Sequence, residues 1–119
     1  MAEKLLILDD EPDMLKLLSM IIREKTPYEP VTTNNPHEAV ELAQKGGFVL
    51  VITDLKMPGL DGIEVLTAIR RTNEDIPVIF ITSRTDAEAQ AKSFGAVAYF
   101  AKPLRMESLL AAVAKHLPA

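Results

Sequence analysis

Short apolar runs alternate along this chain with longer stretches in which apolar residues return every three or four positions. Leu5-Leu6-Ile7-Leu8, the run from Phe48 to Ile52 and the run from Ile76 to Ile81 are too short for independent helices and rich in branched residues. They predict strands buried on both faces. Glu29 to Thr33 reads as a weaker strand whose proline and polar residues suit a sheet edge, and Val97 to Ala101 as a last short one. Between them, Met14, Leu17, Leu18, Ile21 and Ile22 predict one face of a helix opened by Pro12, and Ala39, Val40 and Ala43 one opened by Asn35-Pro36 and stopped by Gly46-Gly47. Ile63, Leu66 and Ile69 predict a third helix with Asp61 at its N-cap. An alanine-rich stretch from Thr85-Asp86 to about Phe94 predicts a fourth, and Met106, Leu109, Leu110, Val113 and Leu117 a fifth.

Five strands alternating with five helices call for an α/β fold in which a doubly wound parallel sheet is covered on both sides and joined by right-handed crossovers. The strand order that leaves the polar second strand at an edge is 2-1-3-4-5. It places the topological reversal, where such sheets bind ligands, between strands one and three.

Composition adds little but excludes much. The 119 residues suffice for one domain with one core, and 48% hydrophobic with 25% charged residues is ordinary for a globular protein. A formal charge of −4 gives no general attraction to nucleic acid or to an anionic membrane. The absence of cysteine excludes disulfides and thiolate metal sites, and the apolar run after the N-terminus is too short for a signal or a membrane span, so a cytoplasmic location is expected.

In the order 2-1-3-4-5 the carboxyl ends of four strands bring Asp9 and Asp10, Asp54, Thr82 and Lys102 to one crevice. Three carboxylates crowded together need raised pKa values or a divalent cation. An all-oxygen set without His or Cys selects a hard ion such as Mg²⁺. A lysine and a hydroxyl beside it suit a phosphoryl group, whose transfer depends on positioning and charge neutralisation.

These residues also carry a resemblance. The acidic pair Asp9-Asp10, Asp54 followed by Met57-Pro58-Gly59 and Asp61-Gly62, Thr82-Ser83, and Lys102-Pro103 together resemble the receiver domain of two-component response regulators, with its flavodoxin-like fold, across residues 1–119. The resemblance implies that Asp54 accepts a phosphoryl group from a phosphohistidine on a sensor histidine kinase or phosphotransfer protein. It implies that Asp10, Asp54 and the backbone carbonyl of Lys56 bind Mg²⁺ directly, with Asp9 acting largely through water. Lys102 would pair with the phosphoryl group, Thr82 would hydrogen-bond it, and Tyr99 would turn inward as the switch. The surface of the fourth helix, fifth strand and fifth helix would then be read by an output domain or partner in transcription regulation. A phosphorylation-dependent homodimer fits the same scheme. No external substrate is turned over.

Lys56 and Arg84 lie two residues beyond Asp54 and Thr82; their plain reading is two solvated cations. As modulators they would instead screen an aspartyl phosphate from water. His37 and His116 read as solvated surface residues. The alternatives are a stand-alone chemotaxis-type receiver that acts by docking, an aspartyl-phosphate phosphatase, and a flavin or nucleotide carrier. The phosphatase would want a second aspartate where Lys56 stands, and Asp9-Asp10-Glu11 would repel a carrier's phosphate.

Overall fold

The computed structural model describes residues 3–54, 62–72, 75–82, 92–93, 95–102 and 105–116. They form β1 (Lys4–Leu8), α1 (Pro12–Lys25), β2 (Glu29–Thr33), α2 (Pro36–Lys45), β3 (Phe48–Thr53), α3 (Gly62–Thr72), β4 (Val78–Thr82), β5 (Ala98–Ala101) and α4 (Met106–His116). The expected helix over 85–94 lies almost wholly outside the described residues, which show only Lys92 and Ser93 of it as helical. Asp61 and Leu117 also lie outside them.

All strand pairs are parallel, in the order β2-β1-β3-β4-β5. Alternation along each strand divides the core in two. Leu6, Leu8, Val51, Val78 and Phe80 pack with Ala39 and Ala43 of α2 and Val65, Leu66 and Ile69 of α3. Leu5, Ile7, Leu50, Ile52, Ile79 and Ile81 pack with Leu18 and Ile22 of α1 and Leu109 and Val113 of α4. Burial on both faces is why β1, β3 and β4 read as continuous apolar runs rather than alternating ones.

Helix boundaries follow local chemistry. Asn35 caps α2, its side-chain oxygen accepting from the backbone N–H of His37 at 2.9 Å and of Glu38 at 3.3 Å. Gly46 closes the same helix at φ 84°, a backbone conformation that suits glycine. Glu11 stands at the N-cap of α1 and makes no side-chain capping bond.

The structure corrects the helix faces. Leu17, expected to point inward, is 38% exposed, while Leu15 packs against the core. The buried stripe of α1 centres between Leu18 and Ile22, and at roughly 100° per residue Leu17 falls about 120° from that centre. In α3 the stripe includes Val65, which is fully buried, and leaves Ile63 at its margin. Two strands start later than expected: β4 at Val78, after Pro77, and β5 at Ala98, with Val97 exposed. Among the described residues no helix is long and apolar enough to cross a membrane.

Strand register decides which side chains meet at the carboxyl edge. Leu8 of β1 lies opposite both Thr33 and Thr53, and Thr82 opposite Ala101, so β1, β2 and β3 end level, as do β4 and β5. The next residues are Asp9, Asp54 and Lys102. Each keeps its amide in the ladder: Asp9 N donates to Thr33 O at 3.3 Å, Asp54 N to Leu8 O at 2.9 Å and Lys102 N to Thr82 O at 2.8 Å. The three side chains therefore leave from backbone that the sheet still holds.

Candidate functional site

Asp9 and Asp54 are both buried where β1 and β3 end. Asp9 is held at both oxygens: Oδ1 accepts from the Glu11 amide at 2.9 Å, and Oδ2 lies 3.2 Å from the Lys102 amine. Lys102 Nζ also lies 3.1 Å from Asp54 Oδ2 and 2.6 Å from Glu11 Oε1. Three acceptors match the three hydrogens of an ammonium.

Asp10 is exposed at the mouth, and one oxygen from each of Asp9, Asp10, Glu11 and Asp54 can be chosen so that all lie within 4.8 Å of one another. At that separation two like charges repel by roughly 3 kcal/mol for an effective dielectric of ~20, before solvent screening. One ammonium against four carboxylates does not neutralise the group.

The protonation equilibria reflect this. Burial above all pushes the Asp9 carboxyl above its ordinary value, and the Asp54 charge adds to the push, while the Glu11 amide and Lys102 act in the opposite direction. Burial alone would lower the pKa of Lys102. Its hydrogen bonds to Glu11 and Asp54, with the charges of Asp54 and Asp9, outweigh burial and hold the amine above the ordinary lysine range.

The donor set fits a hard cation: carboxylate oxygens close together, without imidazole or thiolate. Asp9, Asp10, Glu11 and Asp54 are the described residues whose oxygens could together hold such an ion, Mg²⁺ among them.

Thr82 is fully buried at the end of β4, and its carbonyl receives the Lys102 amide. Tyr99, opposite Phe80 in the ladder, is half-buried against the cluster under α2 and α3. Lys56 and Arg84 lie outside the described residues. Reading along the chain gives Glu11 no role, yet its carboxylate makes the shortest contact to Lys102. The available signal was its place: an acid beside an acid pair, fixed before Pro12 at a helix start that faces the crevice.

A parallel sheet of this order with acids and a lysine at its carboxyl edge defines a class of doubly wound α/β domains with a charged crevice where the strands end. The chain belongs to the response regulator receiver domain family, whose model matches residues 5–114. It is 36% identical over 120 residues to sporulation initiation phosphotransferase F of Bacillus subtilis, an alignment that covers 99% of this chain and 96% of that one. The uncharacterized transcriptional regulatory protein YkoG of the same organism is 34% identical over 92% of this chain, which spans 48% of that relative's length. Among solved structures, the response regulator TrrA of Thermotoga maritima in complex with Mg²⁺-BeF matches with a TM-score of 0.88 and 33% identity, over 97% of this chain and 99% of that one.

Proposed function

We propose that this receiver domain is a phosphorylation-dependent signalling switch that takes a phosphoryl group onto Asp54 from a phosphohistidine of a sensor kinase or phosphotransfer protein. An Asp54 oxygen attacks phosphorus in line as the bond to the donor nitrogen breaks, and the imidazole leaves with the electron pair. The observation that carries this reading is the Lys102 amine, 3.1 Å from Asp54 Oδ2 at the edge of an all-oxygen acid cluster.

Each neighbouring residue has a part. Lys102 neutralises charge on the phosphoryl oxygens, and because its amide is bonded to Thr82 O, strand β5 moves with any movement of the β4 end. The Thr82 hydroxyl answers the new acceptor oxygens, and Tyr99, half-buried in the same two-strand ladder, reports the change on the outer surface. Asp9, Asp10 and Asp54 hold Mg²⁺, which when bound offsets the charge gathered on the transferred group. The face formed by β5 and α4 is read by an output domain or partner protein, with transcription control as the downstream process. The domain acts in the cytoplasm and turns over no external substrate.

Phosphorylation adds ~1.5 to 2 negative charges and strong acceptor oxygens in place of one carboxylate oxygen. Shifting a two-state surface from almost all off to almost all on takes ~5.5 kcal/mol of differential stabilisation, within reach of a few charge-assisted contacts.

Incubation with acetyl phosphate and Mg²⁺, followed by intact-mass measurement, tests the reading. One added phosphoryl group in the unmutated protein and none in Asp54→Asn is expected. No gain in the unmutated protein, or an equal gain in the variant, overturns it.

A further inference from the structure

Lys102 gives all three of its ammonium hydrogens to carboxylates, and one of these, Glu11, is neither the proposed acceptor nor one of the acids proposed to hold the cation. We propose that Glu11 is a resting-state counter-ion of Lys102, a positioning residue that an arriving phosphoryl group displaces, and that it thereby sets how readily the site is occupied. The proposal rests on the phosphoryl-acceptor reading of Asp54.

A phosphoryl group on Asp54 presents new oxygens beside Lys102, whose donors are already engaged, so one partner has to be released. Asp9 is poorly suited to leave. Its side chain is 2% exposed and its other oxygen is pinned by the Glu11 amide, so release would strand a buried charge. Asp54 is the residue that carries the newcomer. The Glu11 side chain is 57% exposed and is rehydrated at little cost.

The backbone suits this role. Pro12 occupies the first turn of α1 and Glu11 takes the N-cap in extended conformation (φ −94°, ψ 113°), a position where Ser, Thr, Asp and Asn are the usual choices. Its carboxylate caps nothing in the helix, whereas its amide braces Asp9. A side chain excused from capping is turned to the lysine instead. The same oxygen lies within 4.8 Å of the other acids, so a part in holding the cation is the competing role that the test must separate.

The experiment titrates beryllofluoride, the phosphoryl mimic bound with Mg²⁺ in the Thermotoga relative, into the protein at saturating Mg²⁺. Binding is followed by amide NMR for the unmutated chain, Glu11→Gln and Glu11→Asp. Mg²⁺ alone is titrated in parallel. Loss of one exposed ion pair corresponds to about a two- to fivefold change in affinity. Both variants should lower the beryllofluoride midpoint by that factor without weakening Mg²⁺. Aspartate keeps the charge but draws the oxygen back by one methylene, so a shift in both variants reports pairing with Lys102 rather than net charge.

Unchanged or higher midpoints in Glu11→Gln overturn the proposal. So does a shift in Glu11→Gln that Glu11→Asp lacks, or a weakened Mg²⁺ titration, which would place Glu11 in the metal shell. If the unmutated protein takes up no beryllofluoride, the acceptor reading of Asp54 falls first and this inference with it.

Discussion

Lys102 Nζ lies 3.1 Å from Asp54 Oδ2, although 48 residues separate them in sequence. Their backbones are secured on opposite sides of β4: Asp54 through β3, hydrogen-bonded to Leu8 of β1, and Lys102 through β5, hydrogen-bonded to Thr82. The contact is thus a property of the sheet rather than of a mobile loop. Replacing Lys102 by Met leaves two buried carboxylates, Asp9 and Asp54, without this cation. Urea denaturation without divalent ions should show a loss of about 1–3 kcal/mol. A variant as stable as the parent would mean that the lysine does not offset the acids.

Mg²⁺ should recover what the acid cluster costs. A ligand that binds only the folded state at a hundred times its dissociation constant stabilises by about 2.7 kcal/mol, on the order of 10 °C in melting temperature for a chain of this size. Calorimetry with Mg²⁺ and with EDTA should show that gap in the parent, a larger one in Lys102→Met and a smaller one in Asp54→Asn. Equal shifts in all three would place the ion elsewhere.

The protonation of Asp9 gives a pH signature of definite sign. Burial, with the Asp54 charge, raises its carboxyl above the usual 3.8. A group raised on folding contributes most to stability when both states are protonated, below 3.8, and that contribution is lost as pH rises through the raised folded value. Asp9→Asn imitates the protonated form, so it should be more stable than the parent at about pH 7 without Mg²⁺ and lose that advantage near about pH 4. Paired urea melts at the two values check this; a constant difference would refute it.

Far from the acids, Arg70 of α3 donates to the carbonyls of Ile76 and Gly95, the latter at 2.9 Å, and ties the helix to the chain entering β4 and β5. Gly95 has φ 97°, and a Cβ added there would stand 3.3 Å from Arg70 Nε. Gly95→Ala should therefore cost about 1–2 kcal/mol. Arg70→Met should cost about 1–3 kcal/mol. The double variant should lose less than both together, because the two changes meet at one contact. Chemical denaturation of the four proteins measures the coupling.

Much of this architecture is legible in the chain itself. Strands buried on both faces announce themselves as runs such as Leu5-Leu6-Ile7-Leu8, and Asn35-Pro36 states a helix start in two residues. Once the strands alternate with helices, the polar Glu29–Thr33 strand belongs at an edge, and the order 2-1-3-4-5 lines up the ends that carry Asp9, Asp54 and Lys102. The helix faces are less legible: periodicity locates a stripe, but Leu15 replaces Leu17, and Val65 joins Leu66 and Ile69, because the centre of the stripe is set by which side of the helix meets the sheet.

The chain alone determined its element order, its strand order and the residue types that arrive at the carboxyl edge, since these depend on local periodicity, capping and a few packing rules. Tertiary structure alone decided that a single amine faces Asp9, Glu11 and Asp54 together. That arrangement depends on strand register and side-chain reach between Asp54 and Lys102, 48 positions apart in sequence, neither of which is written in the spacing of one segment. Glu11 shows the difference best: in sequence it is one more acid before a helix, and in space it holds the lysine.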